Sequence, residues 1–382
     1  MGSDRWRPPS GTYAVTGDSG VSYQKPPASI KEAAFILERA HYEISRVIAG
    51  QDQMLEKVVT ALIARGHVLL EGVPGLAKTL TLRTVAQVFG GVFRRIQFTP
   101  DLVPADLVGT RVLEPGNATF RVELGPVFAN FLLADEINRA PAKVQSALLE
   151  VMQERQVTIG GTSFEVPVPF LALATQNPIE SEGTYPLPEA QLDRFMLKVL
   201  VNYPEYNDEL AVVDRAIQPP PPPRQVLDPQ VLRGIQELAG TVYVDWRLRD
   251  YSVKLASATR RPKEFGIEEV EPYIEYGASP RASINLILAA RALAVIRGRD
   301  FVLPTDLEAL AADVIRHRLV PSYRALAEGI SNDEILRRVQ EKLPVPAIDL
   351  GWWKRPAWAT ISSSTPSPHL PLIHHAEPGP ED

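Results

Sequence analysis

The stretch HVLLEGVPGLAKTL, residues 67–80, decides how this chain is read. A short apolar run, Val68-Leu69-Leu70, passes into a glycine-rich turn, Gly72-Val73-Pro74-Gly75-Leu76-Ala77. Lys78-Thr79 follows, and then a helical pattern through Leu80, Leu82, Val85 and Ala86. Strand, glycine loop, Lys-Thr and helix is the layout of a phosphate-binding loop. Backbone N–H groups of the turn and of the helix N-terminus face the phosphates, the lysine reaches β and γ oxygens, and the threonine hydroxyl binds Mg²⁺. The general pattern has glycine directly before the lysine. Here that position is Ala77, and a small residue fits there if its φ is negative. The bland alternative is a glycine turn ending in a solvated lysine, so the rest of the chain has to decide.

Upstream, residues 1–27 are rich in Pro, Gly and Ser and read as a disordered lead-in. Ser29 with Glu32 is a capping-box pattern that opens a helix to about residue 47. A break at Ile48-Ala49-Gly50-Gln51 precedes a second helical period, Leu55, Val58, Val59, Leu62 and Ile63. Downstream, Arg94-Arg95-Ile96-Gln97-Phe98 has strand character, and the runs 110–113 and 119–124 flank Pro115-Gly116-Asn117 as a hairpin. The apolar run 128–136 ends in Asp135-Glu136. A helix with Val144, Ala147, Leu148, Val151 and Met152 on one stripe comes next. A second hairpin turns at Gly160-Gly161, and the run 170–177 ends in Asn177. Four short apolar runs alternating with helices predict a mostly parallel sheet covered on both faces, in which ligands bind at the carboxyl ends of strands. Thr79, Asp135 and Asn177 all fall just past such ends.

Composition shifts at Val201-Asn202-Tyr203-Pro204, and the remainder reads as helical. A helix over about 205–217 is followed by a five-proline spacer, 219–223. Asp228-Pro229 and Ser279-Pro280-Arg281 open further helices, and Thr305 with Glu308 and Ser331 with Glu334 are two more capping boxes. The tail from about 347 is dominated by Pro, Ser and His and reads as disordered. The expected organisation is a lead-in (1–27), an α/β core (28–203), an all-helical second domain (204–346) and the tail (347–382).

The 382 residues carry a net charge of −6, from 40 basic and 46 acidic side chains, so no global charge points to nucleic acid. There is no cysteine, which excludes disulfides, thiolate metal sites and cysteine nucleophiles. No apolar run reaches membrane-spanning length, the most apolar helix being interrupted by Arg291, and the N-terminus has no signal-peptide core. A cytoplasmic location is the expectation.

Asp135-Glu136 behind a buried strand is the second half of a nucleotide-hydrolysing site: the first acid holds Mg²⁺ and the second polarises the attacking water. Without the Lys-Thr loop the pair would be two solvated acids. Asn177 could orient the same water, or simply form a turn before Pro178. Arg194, in Gln191-Leu192-Asp193-Arg194-Phe195, is either an arginine finger or the partner of Asp193 in a structural salt bridge. Arg281 sits at a helix N-terminus, where the dipole disfavours a cation. A nearby anion would explain it; otherwise it is a solvated arginine.

Taken together, GVPGLAKT, ADEINRAP, ATQNP, LPEAQLDRF and YGASPRA, in this order, resemble the MoxR family of AAA+ ATPases over roughly residues 29–346. Alanine before the lysine is common in that family. The resemblance implies an AAA+ P-loop parallel-sheet core with a C-terminal all-helical lid, assembled as a ring, usually hexameric, with ATP between neighbours. It implies that Gly72, Val73, Pro74, Gly75, Leu76, Ala77, Lys78, Thr79 and Leu80 form the phosphate loop. Thr79 and Asp135 would hold Mg²⁺, Asp135 and Glu136 would be the Walker B pair, and Asn177 sensor 1. Arg194 would be the finger, Arg281 sensor 2, and Gly50-Gln51 would pack on the adenine. The two hairpins would be pore-facing insertions. The family's usual role is chaperone-like: maturation of a protein client together with a von Willebrand factor A domain partner. The competing readings are a DNA-associated motor, a metal-chelatase ATPase subunit, and a non-catalytic nucleotide-gated scaffold. The motor is disfavoured by hairpin tips without Lys or Arg, and the scaffold by the competent residue at every catalytic position.

Overall fold

The computed structural model describes residues 22–73, 75–114, 119–178 and 183–348. Pro74, the first hairpin's Pro115-Gly116-Asn117, the lead-in before residue 22 and the tail from 349 lie outside the described residues.

Two helices precede the loop strand. α1 (Ile30–Val47) is capped by the Ser29 hydroxyl, which accepts the Glu32 N–H, and it buries Ala33, Ile36, Leu37, Ala40 and Ile44 on one stripe. α2 (Asp52–Ile63) leads into β1 (Val68–Glu71), α3 (Lys78–Val88) and β2 (Phe93–Gln97). A short α4 (Pro104–Val108) precedes the first hairpin, β3 (Gly109–Leu113) with β4 (Phe120–Leu124). Next come β5 (Phe131–Asp135), α5 (Ala142–Glu154), the second hairpin of β6 (Gln156–Ile159) and β7 (Thr162–Glu165), and β8 (Leu171–Gln176). α6 (Glu189–Leu192) and β9 (Leu197–Leu200) close this part of the chain.

The main sheet is parallel, in the order β2-β5-β8-β1-β9. Its strands alternate between two apolar clusters, as the period of two requires. Val68, Leu70, Phe131, Leu133, Leu171 and Leu173 face one cluster, and Leu69, Leu132, Ala134, Ala172 and Ala174 face the other. Both faces are therefore covered, as the continuous apolar runs predict. The fifth strand, β9, is not anticipated by pattern, because Leu-Lys-Val-Leu is short and carries a charge. That charge is satisfied within the sheet: Lys198 Nζ lies 2.7 Å from Glu71 on the adjacent β1.

The remaining elements are α7 (Tyr206–Ile217), α8 (Pro229–Thr241), α9 (Trp246–Arg260), β10 (Ile274–Tyr276), α10 (Pro280–Ile296), α11 (Pro304–Ile315), β11 (Val320–Pro321), α12 (Tyr323–Glu328) and α13 (Asn332–Lys342). Buried side chains of α8 to α13 belong to the same apolar cluster as those of α1 to α3, so the lid and the core share one hydrophobic interior. α7 is different. None of its residues is buried, and Tyr206, Leu210, Val213 and Ile217 form an exposed stripe.

Two expectations are corrected here. Residues 22–27, read as the end of a disordered lead-in, are held in place. The Tyr23 N–H donates to Val226 O at 2.7 Å, the Arg39 guanidinium lies over the Tyr23 ring, and Pro26 packs on Gly234 of α8. The cap of α11 is also not Thr305 with Glu308. The helix starts at Pro304, and the buried Asp306 carboxylate accepts the Leu303 N–H at 2.8 Å, so Thr305 already lies in the first turn.

His67, just before β1, is a core residue. Its Nδ1 accepts the Ala172 N–H at 3.0 Å and its Nε2 donates to Met152 O at 3.1 Å, so the neutral ring ties β8 to α5. Burial, with the nearby Arg155 charge, pulls its pKa down from 6.5 to about 3. The unfolded chain takes up a proton at His67 below pH 6.5 that the folded chain refuses. The contribution of His67 to stability is therefore full above pH 6.5 and declines as pH falls toward 3, by at most about 1.4 kcal/mol per pH unit. Urea midpoints between pH 7 and pH 4 should show this slope, and His67→Gln should be less stable at pH 7 but have a shallower slope.

Candidate active site

β5, β8 and β1 are adjacent, and their carboxyl ends place the sequence-derived residues together. The Gly72 N–H donates to Gln176 O at 3.3 Å, which holds the start of the glycine loop against the strand that leads to the buried Asn177. In the loop, Gly75 has φ +86° and open space around it, a conformation and clearance that suit close approach of a ligand to backbone. Val73 packs on the core and Leu76 is buried in it, so these two contribute backbone rather than side chain to the loop face. Thr79 lies half-buried in the first turn of α3, and Leu80 beside it is exposed.

Ala77 corrects an expectation. Its φ is +56°, left-handed, not negative, and it is the N-cap of α3. An L-residue there is strained by about 1–2 kcal/mol, so the loop keeps its shape against a local cost. Ala77→Gly should remove that strain and stabilise the fold by about 1 kcal/mol, read as a shift in urea midpoint.

Lys78 Nζ donates to Gly72 O. Burial pulls its pKa below the ordinary lysine range, while the carboxylates of Asp135, Glu136 and Glu71 push it back up. The loop and the acidic pair therefore act on one another. Asp135 Oδ1 accepts the Thr175 hydroxyl at 2.6 Å, and its Oδ2 accepts Arg95 Nη2 at 2.7 Å and Nε at 3.1 Å. Glu136 also has a left-handed backbone, φ +56°. Its N–H donates to the Thr175 hydroxyl at 2.9 Å, and its Oε2 accepts Gln97 Nε2 at 2.7 Å and lies 3.1 Å from Arg139 Nε. A strained residue held by three different partners, two of them on its side chain, is the mark of a carboxylate whose direction matters. Arg95, Gln97 and Thr175 were read from sequence only as strand residues, not as site residues. A usable signal was present, because Arg95 and Gln97 are two apart on a strand beside β5 and must share a face.

Gly50 (φ +67°) lies where the chain passes close to the start of α7. A Cβ there would come within 2.6 Å of Asp208 Cβ, so glycine is required on both counts. Gln51 next to it is buried.

The two arginines are not in this cluster. Asp193, the bland partner for Arg194, is engaged elsewhere. Its Oδ1 accepts Arg318 Nε at 2.8 Å and the Ser279 hydroxyl at 2.8 Å, and its Oδ2 accepts Arg281 Nη1 at 3.3 Å. Asp193 is thus the anion that explains Arg281 at the start of α10. Among the described residues the half-buried Arg194 side chain has no hydrogen-bond or ion-pair partner. Arg318, which sequence reading did not single out, is fully buried and also donates to the carbonyls of Asp193 (3.0 Å), Phe195 (2.6 Å) and Met196 (3.3 Å). Burial lowers its pKa to about 10, against the pull of Asp193, and it remains a cation at neutral pH.

Thr79 and Asp135 offer an alcohol and a carboxylate, the hard oxygen donors that Mg²⁺ accepts when phosphates and water complete its shell. Among the described residues no group of three or more His, Cys, Asp or Glu side chains could hold a metal unaided. The residues present therefore fit an ion that arrives with a nucleotide.

Comparison with known proteins bears on the family and the fold. Residues 67–197 match the ATPase family associated with various cellular activities (AAA), and residues 268–339 match the AAA lid domain. The chain is 51% identical to Chaperone MoxR1 of Mycobacterium tuberculosis, over 89% of this chain and 92% of that protein. It is 34% identical to Protein MoxR of Methylorubrum extorquens, over 83% of this chain and 96% of that one. A crystal structure of an ATPase candidate from Cytophaga hutchinsonii superposes with a TM-score of 0.78 at 45% identity, covering 82% of this chain and 96% of that one.

Proposed function

The chain belongs to the MoxR family of AAA+ ATPases, and from that premise we propose that it hydrolyses ATP to ADP and phosphate at sites shared between copies in a ring, usually a hexamer, to remodel or mature a protein client. The observation that carries the reading is the meeting of the Lys78 loop, Asp135-Glu136 and Asn177 at three neighbouring strand ends, while the Arg194 side chain has no partner among the described residues. Lys78 and the loop N–H groups would bind the triphosphate, with Gly50-Gln51 against the base. Thr79 and Asp135 would hold Mg²⁺, which supplies charge neutralisation on the β- and γ-phosphoryl oxygens. Glu136 would take a proton from the water that Asn177 orients, as the water oxygen bonds to the γ-phosphorus and the bond to the ADP oxygen breaks. Arg194 of the neighbour and Arg281 would stabilise the charge on the transferring group.

Assembly is supported by α7, whose apolar stripe is left uncovered among the described residues. A polypeptide client is supported by the first hairpin, where Val112, Leu113, Phe120 and Leu124 are exposed. The nucleic-acid motor is not favoured there. Arg111 on that hairpin lies over the Phe120 ring and against Gly160 of the second hairpin rather than standing clear as a phosphate contact. The family resemblance adds a von Willebrand factor A domain partner, and the Mycobacterium tuberculosis relative is named a chaperone. The same architecture would also serve a metal-chelatase ATPase subunit. Among the described residues no helix is long and apolar enough to cross a membrane.

The test is turnover per chain against chain concentration, with ATP and magnesium saturating. A rise to a plateau, tracking assembly by light scattering, supports the shared site. Constant turnover in a verified monomer removes it.

A further inference from the structure

We propose that Asp193 is a positioning residue that couples a subunit's own nucleotide site to the arginine it offers its neighbour. The inference rests on the roles given above to Arg194 and Arg281. Its structural basis is one carboxylate serving two guanidiniums of very different freedom.

Arg318 is the fixed partner. Its side chain is 0% exposed, and it is locked by Asp193 and by backbone carbonyls of the turn between α6 and β9. His317 beside it lies 3.0 Å from Phe195 O, so the lid grips this turn at successive residues. Arg281 is the releasable partner. It is 46% exposed, and its contact with Asp193 is a single 3.3 Å hydrogen bond. With Arg318 already neutralising Asp193, the second cation is held weakly. A triphosphate presents more charge and several acceptors, and would draw Arg281 away.

Asp193 and Arg194 are adjacent in the turn. Departure of Arg281 leaves Asp193 bound to Arg318 and Ser279 alone, which changes the restraints on the turn that carries Arg194. Nucleotide arriving in one subunit is thereby felt at the cation presented to the next. Thermodynamic reciprocity adds a second consequence: Asp193 competes with ATP for Arg281, so it must lower the subunit's own affinity.

The experiment uses Asp193→Asn in the full chain, reading equilibrium binding of a fluorescent ATP analogue with magnesium and turnover at saturation. Binding should tighten about fivefold or more, and turnover should fall about tenfold as Arg194 loses its restraint. In an Arg281→Ala background the same substitution should leave analogue affinity unchanged. Unchanged affinity in the otherwise native chain, or an equal change in both backgrounds, overturns the proposal. Asp193→Glu keeps the charge that neutralises Arg318, and serves if the asparagine variant does not fold. It should shift affinity and turnover in the same directions by smaller factors, and no shift in either overturns the proposal. If Arg194→Ala leaves turnover intact, the shared-site reading itself has failed, an outcome distinct from those.

Discussion

Glu136→Gln is expected to bind ATP as the native chain does and to turn it over about 10²–10⁴-fold more slowly. The amide has the shape of the carboxylate but cannot take a proton from water. Little else should change. The Glu136 side chain is 28% exposed, the Thr175 contact is made by its backbone N–H, and Gln97 can still donate to the amide oxygen. Only the ion pair with Arg139 is lost, and a partly exposed pair of that kind contributes less than about 1 kcal/mol. Steady-state turnover set beside equilibrium binding of a fluorescent ATP analogue separates the two effects. Turnover near that of the native chain would take Glu136 out of the mechanism. A loss of binding in step with turnover would make it a structural residue.

Arg194→Ala should lose about 10³-fold in turnover while keeping most of its ATP affinity, the effect expected of a guanidinium supplied in trans. The fold should be indifferent to it, because the side chain has no partner among the described residues that would be left unpaired. Mixing decides between trans and cis. A Lys78→Ala subunit cannot hold the triphosphate but still carries Arg194. Placed beside an Arg194→Ala subunit it completes one site, so a mixture of two inactive proteins should recover activity. Subunit exchange verified by differently labelled chains, with no recovery, would count against a shared site.

The parts of this molecule that were legible in the sequence are those written in consecutive residues. The loop from Gly72 to Thr79, the acidic pair ending an apolar run and the asparagine ending the next are local patterns. Parallel sheets convert such patterns into one site because they align carboxyl ends. What was not legible depends on partners far apart in the chain or on backbone shape. Thr175 meets Asp135 only because β8 lies beside β5, and Arg318 meets Asp193 across 125 positions. No periodicity announces either pairing. β9 escaped because one lysine broke a four-residue run whose charge is paid for by Glu71. Ala77 was misjudged because side-chain size was legible and φ was not. The bland alternative for Arg194, a salt bridge with Asp193, fails because Asp193 pairs with Arg318 and Arg281 instead, adjacency in sequence being a poor guide to adjacency across a turn.

The shared apolar interior of core and lid limits how this machine can move. Swinging α8 to α13 away as a detached body would open the packing of Ile36, Leu55, Leu232, Leu286 and Leu310 to water, at about 25 cal/mol for every Å² uncovered. Sliding helices past one another by an ångström or two keeps those contacts covered and costs far less. In the proposed ring, each subunit's stroke would therefore be a shear within closed packing, and any large displacement delivered to a client would have to be summed over the boundaries between subunits.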